Sequence, residues 1–132
     1  THCRSCGNRN CVTNQKKICE ACNSQLEIAG PLWVDQLFNK KFIIDMIHQI
    51  PKLVVRKKCM SILEKCTLEA EMPPTYYTLD EIASKMQSAP LKMKNAIKIL
   101  QDEGFLASPT SLNPTGFRTD CRIDKMIKLF KS

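Results

Sequence analysis

The sequence predicts an α+β fold, mostly helical: a small cysteine-anchored module over residues 1–33, then a helical body over 34–132 that carries a β-hairpin. Three observations predict it. Five of the eight cysteines fall within the first 22 residues. Apolar residues recur at i, i+3, i+4 spacing from residue 43 onward, which is helical periodicity. Two short apolar runs near residues 105 and 117 flank a stretch rich in Pro, Asn and Gly. The 132 residues, 43% hydrophobic and 25% charged, are enough for one proper core and exclude wholesale disorder.

The first module is read from its cysteines. Cys3-x-x-Cys6 and Cys19-x-x-Cys22 are two chelating pairs. A two-residue gap lets both thiolates of one turn reach the same ion, and zinc takes four soft ligands in a tetrahedron. Gly7 and Asn23 follow each second cysteine, and both tolerate φ > 0. Residues 1–28 hold few apolar side chains, so a metal is the expected source of their stability. An even cysteine count also permits disulfides in a secreted protein, but no N-terminal stretch reads as a signal peptide. Cys11 or His2 could replace one of the four ligands; the regular pairs are the simpler reading, with Cys11 as a free thiol. A closed four-thiolate site has no open position, so the zinc is structural.

Gly30-Pro31 breaks regular structure, and Trp33 is expected to anchor the module against the body. Asn39 can cap a helix with Ile43, Met46, Ile47 and Ile50 on one face, and Pro51 ends it. His48 on that helix is expected to be a satisfied structural histidine. Val55, Cys59, Ile62, Leu63 and Cys66 form the stripe of a second helix, with Cys59, Cys66 and Cys121 as small buried side chains. Thr78-Leu79-Asp80-Glu81 is a capping box before a short helix lined by Leu79, Ile82, Ala83 and Met86. Pro90 suits the first turn of a helix over about 90–103, striped by Met93, Ala96, Ile97 and Leu100 and stopped by Gly104. Phe105-Leu106 and Phe117-Arg118-Thr119 pair as a hairpin, with its tip at 110–116. Ile123, Met126, Ile127 and Phe130 mark a last helix with basic residues outside. Short helix, turn, helix and hairpin in this order is the winged-helix arrangement.

Composition narrows the function. Four glycines, at 7, 30, 104 and 116, exclude G-x-G-x-x-G and P-loop motifs, and only two histidines are present. No run approaches the roughly 18 apolar residues of a membrane span. A net charge of +7 and a pI near 9.1 favour an anionic partner. Four thiolates and one divalent ion would reduce that charge to about +5. The helix near 90–103 would be the recognition helix, with Lys92, Lys94 and Lys98 at or near its N-terminus for phosphates. Lys52, Arg56, Lys57 and Lys58 form a second basic cluster. Only eight aromatic residues and no aromatic strand pattern argue against base stacking and for a folded RNA read by shape. A DNA-binding winged-helix regulator and a protein-interaction module are the alternatives.

The motifs, taken in order, carry a resemblance. Cys3-x-x-Cys6-Gly7, Cys19-x-x-Cys22 and Ala29-Gly30-Pro31-Leu32-Trp33 resemble the zinc region of the Trm1-type tRNA (guanine-N2)-dimethyltransferases. Asn39-Lys40-Lys41-Phe42, Tyr76-Tyr77-Thr78-Leu79-Asp80-Glu81 and Asn113-Pro114-x-Gly116-Phe117-Arg118-Thr119-Asp120 are similar to that family's later segments, nearest to a vertebrate paralogous branch. The resemblance implies a C-terminal tRNA-binding domain. It implies a separate Rossmann-like domain of the same polypeptide that binds S-adenosylmethionine, methylates N2 of a guanosine near the junction of the D and anticodon stems, and is absent here. It carries over the zinc quartet Cys3, Cys6, Cys19 and Cys22, but no catalytic or cofactor-binding residue. Arg118, in the Thr-Asp signature, becomes a candidate RNA contact, against a fixed salt bridge to Asp120 or another acid. Nuclear or nucleolar residence follows from the same resemblance.

Overall fold

Asn39 starts the helical body as its side chain allows: its Oδ1 accepts from the Phe42 amide at 3.0 Å and caps α1, Lys40–Gln49. The computed structural model describes residues 1–11, 16–54 and 57–131. A 3-10 turn carrying Pro51 closes α1 over Ile50–Lys52. Then follow α2 (Lys57–Glu69), β1 (Tyr77–Thr78), α3 (Leu79–Met86), α4 (Met93–Asp102), β2 (Ala107–Pro109), β3 (Gly116–Thr119) and α5 (Ile123–Lys131). The result is a small, mostly helical α+β fold with one three-stranded sheet of order β1-β3-β2.

The sheet is antiparallel throughout. Ala107, Ser108 and Pro109 face Thr119, Arg118 and Phe117, and Tyr77 and Thr78 face Phe117 and Gly116. The hairpin is therefore present, but its strands begin two residues after Phe105, and β1 joins as a third strand that periodicity did not reveal. Two residues are too short a run to show alternation. Gly116 is required at the strand crossing: a Cβ there would lie 2.7 Å from Thr110 Cγ2 and 3.1 Å from Tyr76 Cδ2.

One face of each later helix builds the core around Phe117, with Ile82 from α3, Ala96 and Leu100 from α4, and Ile123, Met126 and Phe130 from α5. Tyr77 and Phe130 flank the Phe117 ring at centroid distances of 6.3 and 6.4 Å, tilted rather than stacked. The Thr78 hydroxyl accepts from the Glu81 amide at 3.1 Å, so half of the capping box forms. Gly104 at φ +82 takes the left-handed position past α4, and its amide bonds to Gln101 O. Pro90 lies before α4 rather than in it, and the N-cap is Lys92.

The α1–α2 pair departs from expectation. Only Ile43 of α1 is buried, and α2 buries Cys66 and Glu69. Cys59, Ile62 and His48 are exposed, so Cys59 is not a core thiol and His48 is not an enclosed histidine. The two helices pack mainly on each other, and α2 meets the sheet at β2 and, through Glu69, at Arg118 of β3. Periodicity alone cannot distinguish a stripe that meets a core from one that meets a neighbouring helix. Val55, placed in that stripe, lies outside the described residues.

Candidate functional site

The cysteine segment is built from two turns of the same design. The Cys3 carbonyl accepts from the Gly7 amide at 2.8 Å, and the Cys3 amide donates to Asn8 O at 2.9 Å. Sixteen residues on, Cys19 repeats both bonds with Asn23 and Ser24 at 2.9 and 2.8 Å. Each turn closes with a positive φ, +84 at Gly7 and +56 at Asn23. Gly7 is also a close approach, since a Cβ there would meet Glu81 Oε1 at 3.0 Å and Ile123 Cδ1 at 3.1 Å. The Asn8 amide points at Cys6 Sγ and the Ala21 amide at Cys19 Sγ, both at 3.4 Å.

These turns bring the Sγ atoms of Cys3, Cys6, Cys19 and Cys22 within 4.8 Å of one another. Cys3 and Cys22 are 3.5 Å apart, Cys6 and Cys19 3.7 Å. A tetrahedron of sulfurs about 2.3 Å from an ion has edges of about 3.8 Å, so the quartet has the size a divalent metal needs. Among the described residues these four form the only such group; neither His2 nor the exposed Cys11 belongs to it. Burial pushes the Cys6 thiol up to about 12, while hydrogen bonds from the Ser24 hydroxyl and amide bring Cys22 down to about 6. An ion here would have no free coordination position, so its chemistry would be cross-linking rather than activation of a reactant.

Arg9 joins this segment to the body. Its Nη2 donates to both Glu81 carboxylate oxygens at 2.8 Å, its Nη1 donates to Tyr76 O, and its guanidinium lies 4.8 Å from the Tyr77 ring centroid. That is why the capping box is incomplete: Glu81 is held by Arg9. Lys85 Nζ adds bonds to Arg4 O and Ser5 O. The sequence showed Glu81 only as a cap, because its partner is 72 residues away.

The basic candidates separate into two groups. Lys92, the N-cap of α4, and Lys94 and Lys98 within it are exposed, and no side chain caps its first turn. Lys52, Lys57 and Lys58 are exposed around the start of α2; Arg56 lies outside the described residues. Arg118 is a correction. It is 1% exposed, its Nε donates to Glu69 Oε2 at 2.7 Å, and its Nη1 donates to Pro73 O and Pro74 O at 2.8 and 2.6 Å. Glu69 also accepts from the Thr110 hydroxyl and the Ser111 amide, at the hairpin tip. Burial would by itself push Glu69 up; the bonds from Thr110, Arg118 and Ser111 outweigh it and hold the carboxyl below its ordinary value. Arg118 therefore cannot reach a phosphate. Its acid is not Asp120 but Glu69, 49 residues earlier, which no local pattern marks.

The family described as "TRM: N2,N2-dimethylguanosine tRNA methyltransferase" matches residues 1–131. The chain belongs to this tRNA methyltransferase family. The tRNA (guanine(26)-N(2))-dimethyltransferase of Methanosphaera stadtmanae is 31% identical over 134 residues, covering 97% of this chain and 34% of that protein. The protein of the same description from Methanothermobacter thermautotrophicus is 34% identical over 113 residues, covering 84% and 30%. Trm1 from Pyrococcus horikoshii, solved with S-adenosyl-L-methionine, superposes with a TM-score of 0.69 at 22% identity over 87% of this chain and 30% of that one, a likeness of fold. The chain thus spans about a third of the length of the curated relatives it matches.

Trp33 does not anchor the cysteine segment to the body; it is 70% exposed, and its Nε1 donates to Gln36 O at 3.1 Å. With Ile28, Pro31, Leu32 and Val34 it forms one side of a cavity of about 960 Å³, bounded elsewhere by His2, Arg9, Tyr76 and Glu81. No helix among the described residues is long and apolar enough to cross a membrane.

Proposed function

We propose that this chain is the zinc-bearing, tRNA-gripping part of an S-adenosylmethionine-dependent tRNA guanine-N2 methyltransferase. The observation that carries the reading is the family match across residues 1–131. In this reading Cys3, Cys6, Cys19 and Cys22 hold a structural zinc ion, which fastens the first segment against α3 and α5. The run from α3 through α4 to the β2–β3 hairpin, with β1 beside it, is a winged helix, and the hairpin is its wing. The exposed Lys92, Lys94 and Lys98, with the uncapped first turn of α4, meet tRNA phosphates. Lys52, Lys57 and Lys58 extend the same grip, and Arg56 belongs with them by sequence.

The chain takes the C-terminal place in its polypeptide, and the motif set puts it nearest the vertebrate branch. The methyl donor is S-adenosylmethionine, held by the catalytic domain of the same polypeptide. The target is N2 of a guanosine near the D-stem and anticodon-stem junction; the archaeal relatives are named for guanine 26. The contribution of this chain is to position that stem, since holding a reactant in place lowers the barrier without any catalytic group of its own. A nuclear or nucleolar site of action completes the proposal.

Charge reversal tests it. Lys92→Glu, Lys94→Glu and Lys98→Glu together should weaken tRNA binding and flatten the slope of log affinity against log salt by about 2–3, close to one unit per lost phosphate contact. Gel-shift titrations at two salt concentrations read both effects. Unchanged affinity and slope would remove α4 from the interface. Preference for duplex DNA over tRNA in direct competition would favour a DNA-binding regulator instead, and salt-independent behaviour a protein-interaction module.

A further inference from the structure

The segment from Ile28 to Leu37 is unusual for a protein surface. Ile28, Leu32, Trp33, Val34 and Leu37 all stand exposed within ten residues. Scattered apolar residues need no explanation, but a contiguous patch marks a surface that something covers. Ile28, Leu32, Trp33 and Val34 also wall the cavity of about 960 Å³ behind Trp33.

The charges around it indicate what the occupant is. Arg9, in the cavity wall, is spent on Glu81 and the Tyr76 carbonyl. Arg4 pairs with Glu27 at 2.7 Å, and Lys85 bonds to Arg4 O and Ser5 O. The exposed lysines of α4 and α2 are not among the cavity's lining residues. Among the described residues that line the cavity no unpaired Lys or Arg is left to receive a phosphate of an RNA strand laid here, whereas an apolar protein surface needs none. Length supplies the other half of the argument. The match covers 34% and 36% of curated relatives, so those proteins contain nearly twice as much further chain, which must pack somewhere.

We propose that the Ile28–Leu37 strap and the cavity behind Trp33 dock the remaining portion of the methyltransferase polypeptide, which inserts an apolar ridge between Trp33 and Tyr76. This rests on the reading that the chain works as part of a longer methyltransferase. The contact would fix the distance between the lysine-rich helix and the rest of the enzyme.

Trp33 is the sole tryptophan of the chain, so it reports on the site directly. Its reaction with a tryptophan-selective reagent, read by mass spectrometry of the Trp33 peptide, is compared in residues 1–132 and in the parent polypeptide. The docked arrangement predicts a severalfold slower reaction in the parent. Leu32→Lys in the parent should restore the fast reaction while leaving bound zinc unchanged, because Leu32 is exposed here and carries no fold. Equal rates in the two proteins would overturn the proposal. So would protection of residues 1–132 alone at rising concentration, which means a second copy, or protection by added tRNA alone, which means a nucleobase. Methylation of tRNA by the parent is scored separately. A parent that methylates with Trp33 unprotected loses the docking and keeps the functional reading; one that protects Trp33 but binds and methylates no tRNA does the reverse.

Discussion

Replacing Glu69 by Gln removes one charge from a buried pair and leaves the other behind. Arg118 and Glu69 have side chains 1% and 0% exposed and meet at 2.7 Å. The glutamine keeps the shape of the site and can still accept from Thr110 or Ser111. It cannot balance the guanidinium, and breaking one partner of such a pair costs about 3–5 kcal/mol. Urea denaturation followed by helical circular dichroism measures the loss; Trp33 fluorescence is a poor reporter because Trp33 is exposed when folded. The double variant Glu69→Gln, Arg118→Met removes both charges, and the cycle should show a coupling energy of about 1–3 kcal/mol. A single-variant loss below about 1 kcal/mol, or no coupling, would refute the claim that this pair ties β3 and the hairpin tip to α2. The double variant should also bind tRNA as the parent chain does, since Arg118 faces no solvent.

The same carboxylate sets an acid limit. Its folded pKa is depressed, so its stabilising contribution is fully present above the ordinary value of 4.5 and is lost as pH falls from there towards the folded value. Stability curves of the parent should drop more steeply with acid than those of the Glu69→Gln variant, and parallel curves would contradict the assignment. Metal analysis should find one zinc per chain, and Cys19→Ser or a strong chelator should remove it and lower the melting temperature; full stability without metal would show that the quartet is not a zinc site. Thr78→Ala should cost about 1 kcal/mol through the lost cap on α3 in a urea titration, and a change indistinguishable from zero would contradict the cap bond. Gly116→Ala should cost more than that by the same measurement, because the added methyl would sit 2.7 Å from Thr110 Cγ2; a neutral result would show that the hairpin tip yields.

The long-range bonds divide what was legible from what was not. The cysteine spacing announced a quartet because the chelating turn is a local motif, with two residues between ligands and a position for positive φ after them. The Asn39 and Thr78 caps and the Gly104 stop were legible for the same reason, as were the faces of α3, α4 and α5. Arg118 shows the limit. The Thr-Asp signature around it suggested an RNA contact, yet it lies inside the fold, paired with an acid 49 positions away. Trp33 departs in the opposite direction, since an aromatic beside Gly-Pro reads as core, yet among the described residues it is left 70% exposed. Arg9 was silent in the sequence and is central to the fold.

From its residue order alone the chain determined its metal-sized cysteine quartet, its helix ends and its basic character, because each depends on atoms within a few residues of one another. Tertiary structure decided which charges reach solvent, which strand completes the sheet and which apolar side chains stay uncovered. Those outcomes depend on partners brought together across dozens of residues, and desolvation of a charge is a property of the packed environment, not of its neighbours along the chain.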